Sequence, residues 1–358
     1  MATRLIARRR NTGHSGGNED ADTGHGELSQ MTCLIAERSR PRQGDGQRLR
    51  RDSVSIVTGA GRGIGRAAAL ALSRSGGAVC VNDTGVPING GEPNREPADA
   101  VAAEIRAAGG RALPSMIDAR TSAGATQLVA DTEHWAGEAP TILVHAAGTL
   151  RDRMLHKSSD EDWAEILGSH LAVATEVTRV MAPALRAGGY GRIVYIGGAA
   201  GLVGNVGQAA YGVAKAGLFG LTRAVALEMS KLDVSVNYLA PFAFTRMTES
   251  IPPATEQLRQ YLQFAPLATP ADIAPFVAWL CSDAAKGISG QVFGARGAEI
   301  SIWSQPRPAA VVVQATGWDA ASLTSSARAA FEEHLVPLES EFDLLGGPPV
   351  AVDKEDRS

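Results

Sequence analysis

Thr58-Gly59-Ala60-Gly61-Arg62-Gly63-Ile64-Gly65 is the stretch on which the fold turns. Before it, Ser53-Val54-Ser55-Ile56-Val57 alternates β-forming residues and predicts a strand. After it, Ile64 to Leu72, with Ala67, Ala68, Ala69 and Leu70, predicts a helix. The glycines fall on the turn between. Gly59 permits a tight turn, Gly63 a close backbone approach to a pyrophosphate, and Gly65 close packing of helix on sheet. Arg62 and Ile64 complete this cradle. A helix that starts here offers unpaired N–H groups and a partial positive charge to an anion.

A lone glycine pattern is weak. It becomes specific with a strand before it, a helix after it and an acidic residue about twenty positions on. Asp83, at the end of Ala78-Val79-Cys80-Val81-Asn82, is that residue. A carboxylate there accepts from both ribose hydroxyls and repels a 2′-phosphate, which favours NAD over NADP. Arg62 pulls the other way, as a partner for a phosphate. Asp83 also reads as a turn residue before Thr84-Gly85. Asp118, after Ala112–Ile117, has two readings: a partner for the adenine amino group, or a turn carboxylate.

Far downstream, Tyr211 and Lys215 stand four apart on a helical pattern continued by Leu218, Leu221, Val225 and Met229. That spacing puts both on one helix face. A tyrosine ordinarily titrates at about 10. A neighbouring ammonium and a nicotinamide charge are expected to lower this, so that Tyr211 takes a proton from a substrate alcohol while hydride leaves to the cofactor. The strand Arg192–Ile196 and a glycine-rich loop precede the pair.

These parts resemble the short-chain dehydrogenase/reductase family from Val54 to about Trp303. The resemblance is closer to the dehydrogenase unit of peroxisomal multifunctional enzyme type 2. Val81-Asn82-Asp83, Leu150-Arg151-Asp152-Arg153, Ser159-Asp160-Glu161-Asp162-Trp163, Gly204-Asn205-Val206-Gly207-Gln208, Ala240-Pro241 and Thr245-Arg246-Met247-Thr248 carry it. It implies oxidation of a 3-hydroxyacyl-CoA or hydroxysteroid, a lipid-type substrate, with NAD. It also implies a homo-oligomer, dimer or tetramer, formed through helices at Asp160–Leu185 and Gly212–Ser230. Ala147 and Gly148 join the cofactor site by the same match, and His170 stands where a water relay is served; a packed histidine is its other reading.

Two departures stand out. The family's catalytic serine, thirteen residues before Tyr211, is Gly198. Loss of one such donor costs on the order of 10²–10³ in turnover by analogy with oxyanion-hole deletions. The family's Asn-Asn-Ala-Gly is His145-Ala146-Ala147-Gly148, which removes an amide that braces the sheet. Two function classes follow: a secondary-alcohol dehydrogenase, or a degenerate nucleotide-binding partner subunit.

The rest of the chain fits one α/β domain. Strands at Ile142–Val144, Arg192–Ile196 and Val234–Tyr238 alternate with helices at Asp160–Leu185, Gly212–Ser230 and Ala271–Leu280, predicting a single Rossmann-type doubly wound parallel sheet over 53–304. Thr84–Pro97 is a long loop near the adenosine, and Phe242–Phe264, with Ile251-Pro252-Pro253, is expected to cover the substrate. Residues 1–52 hold ten arginines against seven acidic residues with no periodicity, which predicts a disordered tail or a frame mis-started before Met31. In the extension over 305–358, Ala309–Gln314 is a candidate strand and Trp318–His334 an amphipathic helix that packs on a neighbouring subunit or completes the substrate wall.

An apolar content of 44% gives an ordinary core, and a net charge of −4 offers no argument for nucleic acid. Three widely spaced cysteines predict a reducing compartment and a cytoplasmic protein. The histidines form no metal-ligand pattern, and no apolar run reaches the roughly 20 residues of a membrane span.

Overall fold

The alternation in Ser53–Val57 becomes β1 (Val54–Thr58), buried along its whole length. It stands inside an eight-stranded sheet in a computed structural model that describes residues 5–8, 33–36, 48–50, 52–87, 91–249, 256–345 and 347–350. The other strands are β2 (Ala78–Asn82), β3 (Ala112–Ser115), β4 (Ile142–His145), β5 (Tyr190–Ile196), β6 (Asp233–Phe242), β7 (Val292–Arg296) and β8 (Glu299–Ile302). Their order is β3-β2-β1-β4-β5-β6-β7-β8. Every ladder from β3 to β7 is parallel. Only β8 runs antiparallel, folded back beside β7. The chain reverses its direction of winding between β1 and β4, so a crevice opens at the carboxyl ends of these strands.

Helices cover both faces. On one lie α1 (Gly63–Arg74) and α2 (Glu96–Ala107). On the other lie α3 (Ser122–Ala136), α4 (Asp160–Ile166), α5 (Val173–Gly188) and α6 (Ala209–Glu228). α7 (Glu256–Phe264) and α8 (Pro270–Leu280) follow, and α8 joins the α1 face. The two-residue period of the strands divides the core between these layers. Val57, Val79 and Val81 pack with α1 and α2 residues, while Ile56 and Cys80 pack against α3 and α5 residues. Truncating a fully buried side chain such as Leu143 to alanine costs roughly 2–5 kcal/mol.

α1 leaves the sheet at once because Gly65 has no side chain. A Cβ on it would lie 2.1 Å from the Gly59 carbonyl oxygen, and Gly59 itself turns with φ +66°. Between α4 and α5 the helix widens into a π-turn over Leu167–Ala172, which the sequence pattern did not signal. Such widenings recur at functional sites, and this one carries His170.

The described residues fall into two compact units. One lies within Gly46–Gln305 and Leu338–Ser358, the other within Met1–Asp45 and Pro306–Pro337. The expectation of a disordered or mis-started tail over 1–52 falls mostly outside the described residues. Within that tail, Leu5–Arg8 pairs antiparallel with Cys33–Ala36, and Leu49 is buried against the core of the larger unit. The candidate strand at Ala309–Gln314 is irregular. The added strand is β8, because Gly297, at φ +56°, turns the chain back directly after β7. The helical stretch expected at Trp318–His334 is present as Ala320–Ser322, a π-turn at Leu323–Ala327 and Arg328–Glu332. Of its apolar members Ala327 is buried, while Leu323, Phe331 and Leu335 are exposed.

Candidate active site

A cavity of about 1160 Å³ occupies the crevice at the strand ends. Gly59, Arg62, Gly63, Ile64, Gly65, Asp83, Asp118, Ala147, Gly148, His170, Tyr211 and Lys215 all line it. Residues scattered over about 150 positions of sequence are thus brought to one site. At its dinucleotide end, Arg62 caps α1 without a side-chain hydrogen bond, and the first turn holds no acidic residue. The N–H groups there are left for an anion, as a pyrophosphate requires. Asp83 accepts from Gly61 N at 2.8 Å and from Gly85 N at 2.7 Å. These bonds aim the carboxylate along the cradle and leave lone pairs for a ribose. Asp118 accepts from both the backbone and the guanidinium of Arg120, which also reaches Glu165 at 2.9 Å. Asp118 is thus braced by Arg120 on the cavity wall.

At the other end, Lys215 is buried and donates to the Ile196 carbonyl at 2.8 Å. Its Nζ lies 5.3 Å from the centre of the Tyr211 ring. Burial pulls the lysine down to about 7. The protein's own groups act on Tyr211 in the opposite direction to the lowering expected from the ammonium and a nicotinamide charge. Burial pushes its phenol well above the ordinary value, and Glu341, Tyr238, Asp152 and Tyr261 push the same way. Desolvation of the phenolate is the largest cause.

Gly198 is where the spacing puts it. A Cβ on it would lie 3.1 Å from the Tyr211 hydroxyl, and its backbone is extended, with φ 176°. Its peptide groups are gripped from below. The Tyr238 hydroxyl accepts from Gly198 N at 2.9 Å and donates to Gly198 O at 2.7 Å. The Tyr238 ring lies under Gly197, where a Cβ would come within 2.0 Å of it. Its one proton is committed to Gly198 O, so the Tyr238 hydroxyl holds the loop and has no donor left to stand in for the absent serine.

The sheet brace expected to be missing is present in another form. His145 Nδ1 bonds Thr58 Oγ1 at 2.8 Å, and Nε2 bonds the His170 carbonyl at 2.7 Å. The imidazole therefore ties β4 to β1 and to the π-turn, and no partner is left unpaired. Full burial, followed by the Lys215 charge, lowers His145 to about 3. Neutral imidazole has one donor and one acceptor, so Nε2 carries the proton given to the carbonyl and Nδ1 accepts from Thr58. His170 is buried, its Nε2 bonds the Thr149 carbonyl at 2.7 Å and its ring meets Tyr211 edge-on at 5.2 Å. Its Nδ1 is buried without a partner.

The cavity wall holds Phe242 and Tyr261 from the segment expected to cover the substrate, and Glu341 and Phe342, which sequence reasoning missed. Tyr261 on α7 packs edge-on between Phe242 at 4.7 Å and Phe342 at 5.0 Å. Glu341, on the short helix Glu341–Leu345, also lines the cavity. A hydrogen-bonded chain runs along this wall. Gln208 donates to Asp152 at 2.8 Å, and Asn205 donates to Gln208 at 3.0 Å and to Glu341 at 3.2 Å. The fragments at 150–153 and 204–208 stood out as family markers; the signal of their role was their amide and carboxyl content. Nothing in the local pattern signalled Glu341. Of the cover expected over Phe242–Phe264, residues 250–255, with Ile251-Pro252-Pro253, lie outside the described residues.

A glycine cradle at the switch point of a parallel sheet, facing a tyrosine–lysine pair, defines a nucleotide-binding oxidoreductase. The comparisons agree. A family profile described as "Enoyl-(Acyl carrier protein) reductase" matches residues 59–297. "Hydroxyacyl-CoA dehydrogenase ChsB1" of Mycobacterium tuberculosis is 35% identical over 284 residues, 77% of this chain and 87% of that protein. "Peroxisomal multifunctional enzyme type 2" of Mus musculus is 38% identical over 237 residues, 66% of this chain, which spans only 31% of that longer protein. A crystal structure of a short chain dehydrogenase from Mycobacterium avium superposes with a TM-score of 0.68 at 32% identity, over 80% of this chain and 96% of that one. The chain belongs to the short-chain dehydrogenase/reductase family, and it is an oxidoreductase acting on CH–OH groups.

Proposed function

We propose that this protein is an NAD-dependent dehydrogenase that oxidises the secondary alcohol of a lipid-type substrate, a 3-hydroxyacyl-CoA or a hydroxysteroid. One observation carries the reading: Tyr211 and Lys215 share a cavity with the glycine cradle and Asp83. The nicotinamide ring, when bound, takes the hydride. Asp83 holds the adenosine ribose and disfavours a 2′-phosphate, the α1 N-terminus holds the pyrophosphate, and Lys215 holds the nicotinamide ribose. Tyr211 moves the proton of the substrate hydroxyl. Because its phenol is raised, oxidation speeds up with rising pH, while ketone reduction is favoured toward neutral pH. The names of the relatives support the substrate class, and the apolar wall of Phe242, Tyr261 and Phe342 supports an acyl or steroid skeleton.

Fluorescence titration with NADH and NADPH checks the cofactor. NADH binds more tightly, and Asp83→Ala erases the preference; tighter NADPH binding in the wild type rejects NAD. Reduced-cofactor absorbance with panels of hydroxyacyl-CoA and hydroxysteroid checks the reaction. Tyr211→Phe abolishes turnover and leaves NADH affinity within a few-fold; a variant that still turns over rejects Tyr211 as the proton carrier. Gly198 favours a second reading, a nucleotide-binding partner subunit without turnover, which a silent panel with normal NADH binding supports. Val213 and Leu227 on α6 are exposed, which suits a homo-oligomer, to be read by light scattering. Unpaired buried Cys80 and Cys281 suit a reducing, cytoplasmic setting; among the described residues no helix is long and apolar enough to cross a membrane.

A further inference from the structure

The loop after β5 lacks its hydroxyl at Gly198, yet a carboxyl is fixed to the same loop from elsewhere in the chain. Glu341 Oε2 accepts from Asn205 Nδ2 at 3.2 Å. The Glu341 backbone N–H donates to Asn205 Oδ1 at 3.1 Å and to the Gly204 carbonyl at 3.3 Å. Gly204 and Asn205 follow the turn Ala199–Gly201 that Gly198 opens. Next along the chain, Phe342 packs on Tyr261. These contacts hold Glu341 between the Asn205 loop and the aromatic wall, and it lines the same cavity as Tyr211.

We propose that Glu341 is a substrate-binding residue, its carboxyl supplying on the Gly198 loop the hydrogen-bonding group that residue 198 lacks. The inference rests on the dehydrogenase reading for the identity of the ligand, a carbonyl or hydroxyl oxygen held beside Tyr211. A carboxylate only accepts hydrogen bonds, whereas the neutral acid also donates. Burial raises Glu341 to about 7, so near neutral pH the acid form is available. The titratable groups around it are Asp152, reached through Gln208 and Asn205, together with Tyr211, Tyr238 and Tyr261. Among these, Asp152 is the other carboxyl, and the tyrosines are all raised above their ordinary value. A purely structural Glu341, anchoring the C-terminal segment to the Asn205 loop, is the competing account. It predicts a change in stability and none in ligand recognition.

The test measures the affinity of acetoacetyl-CoA for NAD-saturated protein by calorimetry from pH 6 to 8.5, with melting curves alongside. Wild type is expected to bind more weakly as pH rises through 7, since the donor is lost. Glu341→Gln keeps a donor at every pH and is expected to flatten that response. Glu341→Ala is expected to weaken binding at pH 6 by roughly tenfold, as for one lost hydrogen bond to a buried group. Gly198→Ser placed in the Glu341→Ala background is expected to restore most of it. Lys215 titrates in the same range but is unchanged in every variant, and Asp152→Asn isolates the second carboxyl. Equal affinity and equal pH response in wild type and Glu341→Ala overturn the inference and leave the dehydrogenase reading standing. Full pH-dependent binding without turnover on any panel substrate overturns that reading and keeps the inference. No binding by wild type overturns the inference.

Discussion

At the scale of single residues, Gly198 and Tyr211 set the chemistry. The Gly198 backbone is extended, so a side chain there meets no φ strain, and its Cβ would sit 3.1 Å from the Tyr211 hydroxyl. That is close, and Tyr211 must give by a few tenths of an ångström. Gly198→Ser is therefore expected to fold normally and to place a hydroxyl beside the reacting oxygen. A bond that strengthens toward the transition state raises kcat more than it changes KM. The expected gain is about tenfold, worth about 1.4 kcal/mol, read by steady-state kinetics on the best panel substrate. An unchanged kcat in a variant of unchanged melting temperature shows that the substrate oxygen is already held by another group.

At the scale of elements, two side chains join pieces that the strand pattern leaves separate. Tyr238 ties β6 to the loop after β5 through both peptide groups of Gly198. Tyr238→Phe leaves the buried Gly198 N–H unpaired and its carbonyl with the Gly201 N–H alone, at 3.1 Å, at a cost of about 1–3 kcal/mol. For a chain of this size that lowers Tm by several degrees, and turnover falls with it because the loop beside Tyr211 loosens. A Tm within error of wild type contradicts the clamp. His145 ties β4 to β1 and to the π-turn. Its folded value, about 3, lies below the ordinary 6.5. The folded state excludes a proton that the unfolded chain binds, so this stability is present above 6.5 and is lost as pH falls toward 3. His145→Asn removes that contribution. Its Tm is expected to fall less steeply than wild type between pH 7 and 4, and parallel curves reject a neutral, proton-excluding His145.

At the scale of the molecule, the segment after Pro337 belongs to the larger unit and brings Glu341 and Phe342 to the cavity. A chain stopped at Pro337 keeps the sheet, the cradle and the Tyr211–Lys215 pair, but loses Glu341 and Phe342 from the cavity wall. NADH affinity is expected to stay within a few-fold of wild type while KM for the substrate rises by about an order of magnitude, the size of one lost buried hydrogen bond. Fluorescence titration and kinetics read the two separately. A parallel loss of NADH binding means that the segment supports the fold as a whole.

The sequence alone determined the doubly wound sheet, the cradle at 59–65 and the pair Tyr211–Lys215. Each is written in local order: period-two strands, a glycine turn between strand and helix, a spacing of four on a helix face. The vacancy at residue 198 was legible for the same reason, as a fixed distance from Tyr211. Only the tertiary structure decided what surrounds these parts. Phenol and ammonium shift with burial, which no neighbouring residue in sequence records, so burial raises Tyr211 against the lowering expected from the ammonium and a nicotinamide charge. His145 read as a lost brace because its partners, Thr58 and the His170 carbonyl, stand 87 and 25 positions away. Glu341 lies 136 positions from Asn205. Contacts across such separations are set by the packing of the sheet and the return of the chain, and they leave no periodicity behind.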